Sequence, residues 1–193
     1  MESPFNEIID RTGFNAFKLE FCKKIFGTDE LIPMWVADMD FKAPQPVLDA
    51  FKERIDHGII GYNFKPESYY AAIQSWQATQ HHWEIDPAWS QSSPGSVAAL
   101  NRSVLTYTEP GDAVLIQTPV YYPFYDCVTD HSRELLTNPL HLQNGRYEIN
   151  FDHFESQLKK GVKIFILCNP HNPVSRVFTR EELQRMADLC EKY

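Results

Sequence analysis

The sequence predicts an α/β fold with a mainly parallel sheet and helices on both of its faces. From about residue 88 to the end, strand-like and helix-like segments alternate, as is typical of parallel strands joined by helical crossovers. Two short runs, AVLIQ (113–117) and KIFILC (163–168), lack polar alternation, which indicates strands buried on both faces. The 193 residues suit one domain, or one domain and part of another.

The N-terminal part predicts helices separated by an extended segment. A helix is predicted near Ala16 to Ile25, and the proline-containing stretch LIPMWVADMDFKAPQPV (31–47) follows in extended form. Pro46 favours the start of a helix, and Gly58 stands where a C-terminal cap belongs. The apolar residues of this helix share one face: Val47, Leu48, Phe51 and Ile55.

The next stretch predicts a turn, two helices and a short strand. GIIGYNF (58–64) makes the turn, and Pro66 begins a helix. A short strand is expected from Ala88 to Ser92, and a helix is expected in SSPGSVAALNRSVLTYT (92–108). Glu109-Pro110-Gly111-Asp112 is a strong turn signal before the first buried strand. The apolar stripes of the two helices are Tyr69, Ile73 and Trp76, and then Val97, Leu100 and Val104.

The second half continues the alternation. A helix is expected after Pro123, a strand in RELLTNPL (133–140) and a helix from Phe151 to Lys159. The last helix has the clearest start, because Thr179 and Glu182 have the spacing of a capping box. Its predicted buried stripe consists of Leu183, Met186, Ala187 and Cys190.

Composition and charge disfavour several classes of function. Hydrophobic residues make up 43% of the chain and charged residues 23%, which is typical of a globular protein. The net charge of −8, without a dense Lys/Arg run, disfavours nucleic acids and anionic membranes as partners. The longest apolar stretch, Ile164 to Cys168, is too short to span a bilayer, and the N-terminus has no apolar signal core.

The cysteines and histidines predict neither disulfides nor a metal site. No CxxC occurs, so buried free thiols in a reducing cytoplasm are expected. His81 and His82 are adjacent and would splay apart on a helix, so no metal is expected there. The four scattered cysteines are Cys22, Cys127, Cys168 and Cys190.

Three junctions carry groups suited to a ligand at the carboxyl ends of the strands, where parallel α/β sheets bind their ligands. SSPGSV (92–97) precedes a helix N-terminus, whose N–H groups attract anions such as phosphate. QTPVYYPF (117–124) places Tyr121 and Tyr122 after a strand, where a ring could lie on a planar ligand. Each motif alone is also explained by a serine-capped corner or by two half-buried tyrosines.

The third junction is CNPHNP (168–173), which contains two Asn-Pro pairs. Because proline restricts the preceding residue to extended geometry, the amides of Asn169 and Asn172 can be directed into a crevice. An ordinary proline-stiffened turn is the alternative. Together, an anion site, an aromatic ring and a directed amide suit a flat, phosphorylated heteroaromatic ligand.

The combined motifs resemble the N-terminal half of a fold type I pyridoxal-phosphate enzyme, in the cystathionine β-lyase / C–S lyase branch of the aminotransferase class I/II family. The matching stretches are MWVADMDF, HGIIGYNF, PGSVAALNRSVLTYTEPGDAVLIQTPVYYPF and ILCNPHNPVSRVFTREEL, in the family's order over nearly all of residues 30–190. The resemblance implies the N-terminal part of a three-layer α/β/α large domain, truncated in this chain. Residues 1–45 would be an N-terminal segment, either part of the small domain or an extended arm, and residues 46–193 the first portion of the cofactor-binding large domain.

The resemblance also implies a cofactor, pyridoxal 5′-phosphate, and residues that bind it. Gly95, Ser96 and Val97 would hold the phosphate. Tyr121 would stack on the pyridine ring, and Asn172 would donate a hydrogen bond to the phenolic oxygen of the ring.

The remaining implied roles concern the substrate and a second subunit. Tyr62, in IGYN, matches a tyrosine that reaches the phosphate of the neighbouring subunit, which implies a homodimer with shared sites. Ala37, in VADMDF, matches the segment that passes close to the carboxylate of the amino-acid substrate. Asp38 and Asp40 are interpreted as turn and capping groups rather than catalytic carboxylates. Ser175 replaces the usual glycine, and a positive φ there would cost about 1 kcal/mol.

In the family, the Schiff-base lysine, the aspartate on the pyridine nitrogen and the arginine for the substrate carboxylate follow the last helix of this chain. No catalytic residue is therefore nominated here, and the 193-residue chain alone is expected to be inactive. The implied function is cleavage of cysteine S-conjugates to pyruvate, ammonia and a thiol. An aminotransferase and a non-catalytic fragment that dimerises or binds the cofactor stay open as alternatives, as does an unrelated α/β binding domain.

Overall fold

The computed structural model describes residues 3–193. Their contacts form two compact units, one that ends at Ala72 and one that runs from Ile73 to Tyr193. The boundary lies inside helix α4 (Glu67–His81) and not between residues 45 and 46. The predicted division into residues 1–45 and 46–193 refers to domains of a whole enzyme and stays a prediction.

The first unit contains short helices and long irregular segments. A 3₁₀ turn at Pro4–Asn6 is followed by α1 (Phe17–Glu20) and α2 (Cys22–Phe26). These two helices replace the single helix expected near residues 16–25, because the backbone leaves regular helical geometry at Phe21 (φ −91°, ψ −7°). The prediction of helical structure is confirmed, and its continuity is wrong.

Helix α3 (Gln45–His57) begins and ends as predicted. Gly58 adopts φ 73°, and its N–H donates to the carbonyl of Ile55 at 2.9 Å, as in a left-handed C-terminal cap. The predicted apolar face remains open, since Phe51 and Ile55 are 66% and 69% exposed.

Early in the second unit, a helical turn replaces a strand that the sequence predicted. After α4, residues Pro87–Trp89 form a 3₁₀ turn, so the predicted strand from Ala88 to Ser92 is wrong. The reason is local: the Asp86 carboxylate accepts the Ala88 N–H at 2.8 Å, and proline occupies the first position of the turn. Helix α5 (Ser96–Tyr107) then follows as predicted.

The sheet has three parallel strands in the order β2-β1-β5. The central strand β1 (Ala113–Thr118) is buried on both faces, as predicted. Strand β2 (Glu134–Pro139) lies on one side and β5 (Val162–Ile166) on the other. The prediction that the residues of β5 are fully buried is wrong. They are mostly half-buried, because β5 pairs with β1 alone among the described strands.

Helices cover both faces of this sheet, which confirms the three-layer prediction. On one face, Leu115 packs with Phe154 of α7 (Phe151–Leu158) and Met186 of α8 (Arg180–Lys192). On the other face, Val114 packs with Val104 of α5 and with α6 (Pro123–Thr129). Alternate side chains of β1 therefore supply two separate hydrophobic cores.

A β-hairpin, which the sequence analysis did not predict, connects β2 to α7. Strands β3 (His141–Gln143) and β4 (Arg146–Glu148) pair in antiparallel fashion around Asn144 and Gly145. Both turn residues have positive φ, 49° and 78°, which Asn-Gly adopts readily. Tyr147 of β4 packs against the core under α7 and α8.

Helix α8 has the predicted capping box. The Glu182 N–H donates to the Thr179 hydroxyl at 3.3 Å, and the Thr179 N–H donates to the Glu182 carboxylate at 2.8 Å. The predicted stripe is correct for Met186, which is buried, and for Leu183, which is half-buried. It is wrong for Ala187 and Cys190, which are exposed, while Leu189 is half-buried and packs on the core.

The four cysteines are free, but only two fit the prediction of buried thiols. Cys22 and Cys127 are buried, and burial raises the pKa of Cys127 to about 11. Cys168 is half-buried and Cys190 is exposed. Within residues 3–193, no cluster of His, Cys, Asp and Glu could hold a metal ion. No helix of this described range is long and apolar enough to cross a membrane.

Candidate cofactor site

Packing in the second unit brings the N-terminus of α5 to the carboxyl edge of the sheet. Val104, near the end of α5, packs with Val114 at the start of β1. Leu100, one turn earlier, also packs with Ile116 in the second half of β1 and with Val120, two residues after its end. The helix therefore runs opposite to the strand, and its first residues lie toward the edge where parallel sheets bind ligands.

The backbone N–H groups at the N-terminus of α5 are not capped by a side chain. Gly95 occupies the N-cap position, where it supplies no capping side chain, and the first turn contains no acidic residue. The first turn of a helix leaves N–H groups without partners inside the helix, and these groups attract anions. A Cβ atom at Gly95 would meet nothing within 4 Å, so the backbone is accessible. Ser96 and Val97 follow at the first two helical positions, and both are exposed.

A backbone hydrogen bond joins the two predicted ring-binding residues. The Tyr121 N–H, after β1, donates to the Asn172 carbonyl, after β5, at 2.9 Å. The two strands are neighbours, so both residues lie at the same edge of the sheet. Tyr121 is 36% exposed, and the centre of its ring lies 5.0 Å from the centre of the Tyr122 ring in an edge-to-face arrangement.

The two asparagines of the Asn-Pro loop, residues 167–178, have different environments. The Asn169 side-chain oxygen accepts the Phe178 N–H at 3.1 Å, so this amide holds the loop together instead of facing a crevice as predicted. Asn172 is exposed, and its side-chain amide has no hydrogen-bond partner in the part of the chain described. Asn172 is therefore the asparagine that is available to a ligand.

Sequence analysis missed two buried polar residues that hold this loop. His171 is 1% exposed, its Nε2 lies 2.9 Å from the Pro119 carbonyl oxygen, and its N–H donates to the Arg176 carbonyl at 2.7 Å. Burial lowers the pKa of His171 below the ordinary value of 6.5. A histidine between two Asn-Pro pairs carried no periodicity from which its burial could be predicted.

Arg176 links the loop to the hairpin and to α8. It is 7% exposed, and its guanidinium donates to the Tyr147 carbonyl at 2.6 Å and to the Glu182 carboxylate. The guanidinium also lies 4.8 Å from the centre of the Phe178 ring. Glu182 therefore serves both the α8 capping box and this ion pair.

Ser175 has the backbone conformation expected of the glycine that it replaces. Its φ of 54° lies in the left-handed region, which disfavours a residue with a Cβ atom. The loop thus keeps the turn and carries the conformational cost of serine.

The two predicted residues outside this edge, Ala37 and Tyr62, belong to the unit that ends at Ala72. Ala37 is exposed, and Tyr62 is fully exposed, with a relative accessibility of 111%. Complete exposure of a tyrosine leaves its ring and hydroxyl available to another molecule.

Asp38 and Asp40 form ion pairs, so their interpretation as turn and capping groups is wrong. Arg11 donates to Asp38 at 2.5 Å and to Asp40 at 2.9 Å. The buried Lys18 donates to the Asp38 carbonyl at 2.8 Å and to the Asp40 carboxylate at 2.7 Å. The hydrogen bond from Lys18 is the larger cause, and that from Arg11 the second, of a lowered pKa of Asp40. These bonds fix the backbone on the C-terminal side of Ala37.

The chemistry of the carboxyl edge suits a ligand with an anionic group and a flat ring. Uncapped N–H groups suit an anion, a partly exposed tyrosine offers a ring face, and an unpartnered amide offers a hydrogen bond. The residues present therefore fit pyridoxal phosphate, whose phosphate and pyridine ring meet these requirements.

Known proteins share both the sequence and the fold of this chain. Residues 30–193 match the family described as aminotransferase class I and II. Cystathionine beta-lyase PatB of Bacillus subtilis is 43% identical over 187 residues, which cover 96% of this chain and 48% of that protein.

Solved structures give the same result. Cystalysin from Treponema denticola, which contains a pyridoxal 5′-phosphate cofactor, superposes with a TM-score of 0.91 at 33% identity, covering 100% of this chain and 50% of that one. The PLP-bound C–S lyase from Staphylococcus hominis superposes with a TM-score of 0.88 at 36% identity, covering 100% of this chain and 49% of that one. The chain thus spans about half the length of these relatives.

Proposed function

Because this chain belongs to the aminotransferase class I and II family, we propose that the protein is a pyridoxal-phosphate-dependent carbon–sulfur β-lyase. Its substrates would be cysteine S-conjugates such as cystathionine, and its products pyruvate, ammonia and a thiol. The observation that carries the proposal is the 43% identity with a cystathionine beta-lyase over 96% of this chain. The geometry of the carboxyl edge supports it independently, because the groups there fit the cofactor.

The phosphate is assigned to the first turn of α5. Backbone N–H groups of Ser96 and Val97, with the Ser96 hydroxyl, would donate to the phosphate oxygens. Gly95 would let the backbone approach closely, since no side chain intervenes. The missing capping group supports this assignment, because a bound anion would supply acceptors for these donors.

The ring is assigned to Tyr121 and Asn172. Tyr121 would lie against one face of the pyridine, and the Asn172 amide would donate to the phenolic oxygen. A hydrogen bond to the ionised oxygen favours that form over the protonated one. Their backbone hydrogen bond supports this pairing, because it fixes the distance between the two residues before any ligand arrives.

When bound, pyridoxal phosphate supplies an electron-accepting ring that stabilises negative charge at the α-carbon of the amino acid. The residues of this chain hold and orient that ring. Ala37 would border the substrate carboxylate, and the Arg11 and Lys18 ion pairs would keep its segment in place.

A homodimer is part of the proposal, with Tyr62 of each subunit donating to the phosphate in the neighbouring one. The full exposure of Tyr62 supports an intermolecular role. The four free cysteines support the cytoplasm as the compartment, because disulfides do not persist there.

Titration of the purified protein with pyridoxal phosphate tests the site. Wild type is expected to shift the cofactor absorbance on saturation. Asn172→Ala and Tyr121→Ala should each weaken binding about 5-fold or more, since each removes roughly 1 to 3 kcal/mol of interaction. Tyr107→Ala is the matched control, because Tyr107 is also exposed but ends α5 on the opposite side. Equal affinities in all four proteins would contradict the assignment.

Product analysis separates the proposed activity from its alternatives. With a cysteine S-conjugate, a lyase releases equal amounts of pyruvate and thiol without an added keto acid. An aminotransferase requires a keto acid and leaves the carbon–sulfur bond intact. Because the 193-residue chain alone is expected to be inactive, this assay uses the whole protein, in which cofactor binding without either product would identify a non-catalytic protein.

A further inference from the structure

His171 is the most deeply buried polar residue of the Asn-Pro loop. It is 1% exposed, although Asn169 and Asn172 on either side of it are exposed. A polar ring in such a position is destabilising unless its hydrogen bonds are made. The hydrogen bond that the His171 ring makes therefore indicates why the loop contains a histidine.

The imidazole bonds the Asn-Pro loop to the segment after β1. Its Nε2 lies 2.9 Å from the Pro119 carbonyl oxygen, and a carbonyl can only accept, so Nε2 carries the proton. Among residues 3–193, Nδ1 has no hydrogen-bond partner, so one acceptor of the ring is buried without a donor, although the Cys168 backbone acts on the ring and favours its protonated form. The ring also packs edge-on against Phe178 at 5.7 Å.

This bond lies directly beside the backbone bond between the two ring-binding residues. Pro119 precedes Tyr121 by two residues, and His171 immediately precedes Asn172. The pairs His171–Pro119 and Asn172–Tyr121 thus join the same two segments at two points. One bond would leave the segments free to pivot about it, whereas two bonds fix their relative orientation.

We propose that His171 is a positioning residue, which sets the Asn172 amide relative to the Tyr121 ring through its hydrogen bond to Pro119. His171 does not itself contact the cofactor. The inference rests on the proposed function for the identity of the ligand. The bond between the two segments can be tested without any ligand.

Three variants distinguish positioning from simple filling of space. Glutamine places its side-chain N–H close to the position of imidazole Nε2, so His171→Gln can keep the bond to Pro119. His171→Asn carries the same amide on a shorter side chain that ends short of this carbonyl. His171→Leu removes the donor and keeps most of the volume. If one removal variant fails to fold, the other still provides the comparison.

Amide hydrogen exchange, measured without cofactor, tests the link itself. The Tyr121 N–H should exchange about 10-fold faster or more in His171→Asn and His171→Leu, and at nearly the wild-type rate in His171→Gln. Leu115 and Ile116 in the centre of β1 serve as internal references. Unchanged exchange at Tyr121 in both removal variants would overturn the proposal. An equal increase at Leu115, Ile116 and Tyr121 would also overturn it, because it would identify an ordinary core residue.

Cofactor titration tests the consequence for the site. The removal variants should bind pyridoxal phosphate about 10-fold more weakly and shift the absorption maximum of the bound cofactor, and His171→Gln should restore both. Wild-type affinity and spectrum in His171→Leu would overturn the positioning role. If wild type itself binds no pyridoxal phosphate, the proposed function fails, and hydrogen exchange at Tyr121 still decides whether His171 fixes the two segments.

Discussion

Ser175 shows how a single residue can retain a turn that its side chain disfavours. Its φ of 54° costs a residue with a Cβ atom about 1 to 2 kcal/mol relative to glycine. The loop nevertheless closes, because His171, Arg176 and Asn169 supply hydrogen bonds on both sides of Ser175. The strain is therefore local and removable.

Ser175→Gly is expected to stabilise the protein by about 0.5 to 1 kcal/mol. The gain from relaxing φ exceeds the loss from the greater freedom of glycine in the unfolded chain. Urea unfolding measures the change, and Ser175→Ala is the control, since alanine removes the hydroxyl but keeps the Cβ atom. A glycine variant less stable than the alanine variant would refute the argument.

The buried His171 predicts a loss of stability in mild acid. Burial lowers its folded pKa below 6.5, so the unfolded chain binds a proton that the folded chain does not. The effect is absent well above pH 6.5 and grows as the pH falls below that value, toward the folded pKa. Arg176 is the charged neighbour, and its positive charge acts in the same direction.

The matching experiment compares wild type with His171→Gln between pH 7.5 and 5. The free energy of unfolding of wild type should fall more steeply below about pH 6.5, by up to 1.4 kcal/mol per pH unit for one proton. Glutamine cannot titrate, so the difference between the two curves isolates His171. Parallel curves would show that another group causes the pH dependence.

At the scale of elements, the α8 capping box connects local sequence to the candidate site. Glu182 accepts the Thr179 N–H and also the Arg176 guanidinium, so the start of the helix and the end of the Asn-Pro loop share one carboxylate. The Thr179 hydroxyl accepts the Glu182 N–H and the Thr179 carbonyl accepts the Leu183 N–H, so these bonds lie within the first turn of α8. Thr179 can therefore be changed without removing a group from the loop.

Thr179→Ala should destabilise the protein by about 1 kcal/mol through loss of the N-cap. Thr179→Ser, which keeps the hydroxyl, should recover most of that loss. Thermal or urea unfolding of the three proteins measures both effects. Similar losses for alanine and serine would mean that the methyl group of threonine, rather than its hydroxyl, is what matters.

The sequence predicted those elements whose signals are local. The α8 cap, the central strand β1 and the start of α6 after Pro123 all follow from short patterns and were correct. The two failures have different causes. Asp86 and Pro87 start a 3₁₀ turn where the composition of residues 88–92 favoured a strand, whereas β5 is only half-buried because it pairs with β1 alone among the described strands.

In the candidate site, some residues could be predicted from local sequence, whereas the roles of others depend on distant parts of the chain. Asn172 directly precedes Pro173, and Tyr121 lies two residues from Pro119 and from Pro123, each in a segment that follows a strand, so their placement could be predicted from sequence. The roles of His171 and Arg176 depend on the Pro119 and Tyr147 carbonyls, which are brought near only by the parallel sheet and the hairpin. No pattern in the Asn-Pro loop itself distinguishes Asn169, which bonds the loop, from Asn172, which is open.

At the scale of the whole molecule, the unit that ends at Ala72 exposes an unusual amount of apolar surface. Ile60 and Phe64, on either side of the fully exposed Tyr62, are both 85% exposed. Exposed patches of this kind are typical of surfaces that another protein covers. The proposed homodimer would place this segment at the interface.

Replacing Ile60 and Phe64 together by serine should weaken self-association at least about 10-fold, because two large side chains would no longer be buried between subunits. Sedimentation velocity over a range of concentrations measures the dissociation constant. Glu53→Ser, an exposed polar position on α3, is the matched control. An unchanged dissociation constant in the double variant would remove this segment from the interface.

The bond between Tyr121 and Asn172 has a consequence for the order of events during synthesis. Parallel neighbouring strands cannot pair until the intervening crossover has been made. While the ribosome is still adding residues before Asn172, the Tyr121 amide has no acceptor and stays accessible to water. Asn172 must therefore emerge from the ribosome before the growing chain can close this corner, and nascent chains stalled earlier should be open to proteases there.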